Sequence, residues 1–67
     1  MKNFIITPAN HRSYAIKAAT AEMAYRLESH WYSTNTPISV TDTETGSTTT
    51  YKKQLDKNGN LLSIETV

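Results

Sequence analysis

The sequence predicts an α+β fold: a small two-layer domain in which an antiparallel sheet of about five strands carries one helix on a face, in the order ββαβββ. Three observations lead there. Residues 20–33 space their apolar side chains as a helix does, whereas the segments on either side alternate as half-buried strands do. Gly46 and Gly59 then punctuate the C-terminal half where hairpin turns would fall.

Residues 4–7 (FIIT) and 13–18 (SYAIKA) read as short strands joined by PANHR, where Pro8 and Asn10 supply turn chemistry. In the second, Tyr14, Ile16 and Ala18 alternate with Ser13, Ala15 and Lys17. Thr20 is a good helix N-cap because its hydroxyl can take up an unpaired amide of the first turn, and Glu22 suits the positive end of the helix dipole. Met23, Ala24, Leu27 and Trp31 form the expected inward stripe. Tyr25 and Tyr32 are expected on its flank, capping the edge of the core or offering a contact surface. STNTP ends the helix, since Pro37 biases Thr36 toward extended backbone.

In residues 41–53, TDTETGSTTTYKK, six of thirteen residues are threonine. Threonine is β-branched and favours strands, so this is a hairpin and not a flexible linker. Side-chain parity requires an even-length loop, because a one-residue slip would expose half the apolar set. A two-residue turn at Thr45 and Gly46 would set Val40 opposite Tyr51 and Ile38 opposite Lys53. Where the inward face changes from Ile38 and Val40 to Asp42 and Glu44, the hairpin tip is expected to project beyond the core. Asn58 and Gly59 then signal a type I′ turn that sets Leu55 opposite Leu62 and Lys53 opposite Ile64.

The 67 residues make one small domain, 1–67, whose core is marginal at this size. The opening Met reads as the initiator of a complete small gene product. With no cysteine, disulfides, thiolate metal sites and a cysteine nucleophile are excluded, which fits a reducing cytoplasm. No apolar run is long enough for a signal peptide or a membrane span. A net charge of +1, from seven basic and six acidic residues, does not by itself argue for nucleic acid or a membrane surface.

Catalytic and metal signals are weak. Asp56-Lys57-Asn58-Gly59-Asn60 begins like a calcium loop, but Leu61 and Val67 stand where that loop needs Gly and Glu. His11 and His30 lack the partners of a metal set, and no nucleophile, base and orienting group share a spacing. No enzyme, cofactor or metal is therefore expected.

One surface does stand out. Ser39, Thr41, Thr43, Thr48, Thr50, Lys52 and Gln54 share a face of the expected hairpin, with Asp42 and Glu44 on the other. A hydroxyl-rich face with a lysine could bond phosphates, though the plain outer face of a sheet accounts for it as well. Thr41, Thr43, Thr50 and Lys52, with Tyr25 and Tyr32 on the helix, are the candidate interaction residues. The expectation is a non-enzymatic cytoplasmic protein that docks on a larger macromolecule, most readily a protein. In size and lack of cysteine it is like accessory proteins of phages and mobile elements, including inhibitors of host defence. Nucleic-acid binding through the threonine and lysine face, or a purely structural homodimer, are the alternatives.

Overall fold

The computed structural model describes residues 1–32 and 36–67, and of Leu61 the backbone alone. Strands β1 (Lys2–Pro8) and β2 (Tyr14–Ala18) precede helix α1 (Ala21–Glu28), which runs into a 3-10 turn at Ser29–Trp31. Strands β3 (Ile38–Asp42), β4 (Thr48–Leu55) and β5 (Leu61–Thr66) follow. The sheet order is β2-β1-β3-β4-β5, every neighbouring pair antiparallel. The α+β architecture and the order ββαβββ are thus as the sequence predicts.

Pro8 closes β1, buried, and opens the turn, its carbonyl accepting from His11 N–H at 3.1 Å. It costs no ladder bond, because pairing with β2 has already ended at Ile6 and Tyr14. Asn10 completes the turn with φ 65°, a left-handed value that asparagine tolerates.

The helix begins as expected, with Met23 N–H donating to the Thr20 hydroxyl at 3.2 Å, but it turns a different face inward. Ala24, Tyr25 and Ser29 are buried, whereas Met23, Leu27 and Trp31 are 47%, 49% and 69% exposed. Of the expected stripe only Ala24 is inside. Two causes combine: Ala21, Ala24 and Ser29 are small enough to bring the backbone close to the sheet, and Tyr25 alone fills the space so left. Tyr25 packs with Phe4, Ile6, Ala18, Ile38 and Val40, and its ring lies 5.2 Å from that of Tyr51. It is 1% exposed, so it is a core residue and not a flank or contact residue. The α-helix also stops at Glu28, earlier than expected; residues 33–35, where the sequence places the helix end, lie outside the described residues.

The β3–β4 loop is even, as parity requires, but has four residues, 43–46, in place of two. Asp42 N–H donates to Ser47 O and Gly46 N–H to Asp42 O, with Gly46 at φ 77°. Ile38 therefore faces Tyr51 and Val40 faces Thr49. This register is two residues from the expected one, a shift that keeps every side chain on its face. The tip does not project. β3 lies mid-sheet, and Thr43 donates both its N–H and its hydroxyl to Asn3 O.

The last hairpin is not type I′, because Asn58 has negative φ and only Gly59, at φ 85°, is left-handed. Gly59 N–H donates to Asp56 O, and the Asp56 carboxylate accepts the amides of Asn58 and Asn60 at 2.9 Å each. This is a three-residue loop of turn plus left-handed glycine, which shifts the register by one. Leu55 consequently faces Leu61 and not Leu62. An irregularity at Gln54 and Leu55 then restores the expected pairing of Lys53 with Ile64.

Candidate functional site

Among the described residues no pocket is found, and no three His, Asp or Glu side chains converge on a point. No helix among them is long and apolar enough to cross a membrane. What the fold offers a partner is surface, and it divides into three parts.

The first is the outer face of the sheet, where Thr41, Thr50 and Lys52 lie together as the sequence places them. Its hydroxyls bond one another: Ser39 with Thr50, Thr41 with Thr48 and Thr7 with Ser13, each at 2.8 Å. Thr43 is drawn away onto the β1 backbone. The face also carries a carboxylate once β5 is in place. Glu65 sits opposite Lys52 and accepts from Gln54 Nε2 at 2.8 Å, so the absence of acids holds for the β3–β4 hairpin and not for the sheet. The acids on the inner side are also engaged. The Lys2 ammonium hydrogen-bonds Asp42 and lies 3.7 Å from Glu44, and this holds the Asp42 carboxyl below its usual range and Lys2 above its own.

The second surface is the helix. Tyr32, half-buried, donates its hydroxyl to that of Tyr14 at 3.1 Å, and its ring lies 4.9 Å from His11. Burial pushes the Tyr14 phenol above its ordinary value, and the Tyr32 hydroxyl and the Glu28 carboxylate act in the same direction. Tyr32 therefore fastens the helix end to β2. Met23, Leu27 and Trp31 lie exposed instead, with the His30 ring 4.6 Å from the Trp31 ring and tilted by 38° to it.

The third is a ribbon that sequence reasoning assigned to the wrong hairpin. β4 pairs with β3 over residues 48–51 only, the last pair being Ile38 with Tyr51, yet it continues to Leu55. Residues 52–55 pair with β5 alone among the strands, and the helix packs mainly on β1, β2 and β3, reaching β4 through Tyr25 on Tyr51. Leu62, 69% exposed, lies on the ribbon's outer strand, and Val67, 72% exposed, follows the end of that strand. The sequence shows the alternation of β4 running past Tyr51 but not where its pairing with β3 stops.

Comparison with known protein families, with curated proteins and with solved structures gave no match.

Proposed function

We propose that this protein is a non-enzymatic binding protein that docks on a larger protein by adding its edge strand β5 to a strand of the partner. The observation that supports this reading is the run of β4 past its last pairing with β3, which leaves residues 52–55 and their partners on β5 as a two-stranded ribbon. Val67 N–H donates to Thr50 O, so by antiparallel alternation Ile64 and Thr66 turn their backbone groups toward the open edge. Such an edge templates another strand. Edges that must stay alone are usually blunted with lysine or proline. β5, LLSIET, has neither, whereas the opposite edge, β2, is shorter and carries Lys17.

Thr66→Pro tests the idea. It removes an outward N–H at an edge position, where proline is tolerated, and alters a single exposed side chain. Partner capture from cells of the source organism should be lost while the thermal transition persists. Undiminished capture by a folded Thr66→Pro protein, and by Leu62→Glu, would sink strand addition at β5. Capture that falls steeply with salt would point instead to nucleic acid on the outer face, where displaced counterions give that dependence.

A further inference from the structure

Met23, Leu27 and Trp31 follow one another at four-residue spacing along α1 and its 3-10 turn, and they are 47%, 49% and 69% exposed. A short helix on a sheet ordinarily turns such a row inward. Here Ala24, Tyr25 and Ser29 occupy that place, so three large apolar side chains are left partly in water. Contiguous exposed apolar surface of this kind marks a contact site.

We infer that this flank is covered by the same flank of a second copy of the chain, the two helices antiparallel about a twofold axis at Leu27. The row is its own complement under that operation. Residue 27 is the midpoint of 23 and 31, so setting Leu27 against its symmetry mate sets each Met23 against the Trp31 of the other copy. A thioether on an indole is a favourable contact. The polar residues bordering the row are complementary as well. Glu22, Arg26 and His30 share its four-residue spacing, and reversing one helix brings each Glu22 carboxylate within side-chain reach of the other copy's His30. A ring N–H of that histidine can donate to the carboxylate in either charge state. Arg26 falls near the axis, where its charge is offset by its own Glu22 at 3.4 Å.

The area suits a modest dimer. Covering the exposed parts of three such side chains on each copy removes on the order of 600 Å² of apolar surface, about half of what a specific interface buries in total. Polar neighbours supply the rest. This surface is separate from β5, so it neither requires strand addition nor competes with it.

Trp31 is the sole tryptophan of the sequence, so its fluorescence reads this surface directly. Sedimentation equilibrium from low micromolar to submillimolar protein should show the mass doubling, with the tryptophan emission moving to the blue over the same range. Leu27→Lys sets two like charges across the axis and should weaken self-association about tenfold or more. Leu27→Met, which keeps the bulk, should retain it. Leu27 is half exposed, so both variants fold, and circular dichroism checks that they do. A chain that stays monomeric throughout overturns the inference. So does a dimer that Leu27→Lys leaves unchanged and in which Trp31 keeps its water-exposed emission, since such a dimer forms on another surface, β5 against β5 being the first to examine.

Discussion

Tyr25→Ala and Trp31→Ala should have opposite consequences from those that hydropathy suggests. Tyr25 is 1% exposed, with its ring against Tyr51 and its body among Phe4, Ile6, Ile38 and Val40. Truncating a buried aromatic residue to alanine costs about 3–5 kcal/mol. A chain of this size rarely holds more than about that in total, so Tyr25→Ala should show no cooperative unfolding transition. Tyr25→Phe, which keeps the ring, should still fold. Trp31 is 69% exposed, so roughly a third of the side chain is buried. Scaling the same cost by that third gives about 1–1.5 kcal/mol, or a fall of roughly 4–12 °C in melting temperature for a domain of this length. The assay is urea and thermal unfolding followed by far-ultraviolet circular dichroism, at protein concentrations low enough to keep self-association out of the result. If Trp31→Ala abolishes the transition while Tyr25→Ala keeps it, the helix is turned the other way about its axis, and both the core and the exposed row assigned here are wrong.

The pH dependence of the Lys2 and Asp42 pair has a definite sign. A carboxyl whose pKa is lowered on folding contributes stability that is present above its unfolded value of about 3.8 and lost as pH falls through the lower folded one. The stability difference between wild type and Asp42→Asn should therefore shrink as pH drops below about 3.8, read from urea midpoints against pH, and a constant difference would refute the pairing. Gly59→Val should cost about 1 kcal/mol or more in the same urea measurement, from backbone strain alone, because φ is +85° and nothing lies within 4 Å of the added carbon. An unaltered midpoint would mean that the loop is closed some other way. In a double-mutant cycle, Ser39→Ala and Thr50→Val should couple by only about 0.2–1 kcal/mol, as cross-strand hydroxyl pairs do. Strict additivity would remove the hydrogen bond between them.

The strands were legible because their parity is strict. Tyr14, Ile16 and Ala18 face inward as the alternation requires, and even the two-residue register error at β3–β4 left every face correct. Turn detail was less legible. Asn58-Gly59 fits a type I′ turn by composition, but Asp56 captures two amides with its carboxylate and favours the longer loop, a competition that dipeptide preference does not register. The helix was misread because hydropathy ranks Met, Leu and Trp above Ala, Tyr and Ser. What decides the inward face is fit to the sheet: small residues permit close approach, and a single tyrosine bridges to β4. Of the candidate interaction residues, Thr41, Thr50 and Lys52 were placed correctly on one face, Thr43 only in part, and Tyr25 not at all. Trp31 and β5 could have been singled out only by knowing which helix face was already taken and where β3 ends.

The arrangement of the outer face bears on where binding should be sought. A threonine array invites a phosphate-binding reading only while its hydroxyls are free to donate, and pairing across β3 and β4 commits one O–H of each pair. Its lysine faces Glu65, which reduces the local positive potential that a nucleic acid would need. Replacing Thr50 and Lys52 with glutamate therefore does more than reverse a surface charge. It breaks the bond from Thr50 to Ser39 and sets like charges opposite one another at Lys52 and Glu65, inside the root of the ribbon. Loss of partner binding in that variant would follow equally from a damaged ribbon. Substitutions at the open edge and on the helix flank avoid this ambiguity, because Thr66 faces solvent with its backbone and Leu27 with its side chain, and neither is part of the hydroxyl pairs that join β3 to β4.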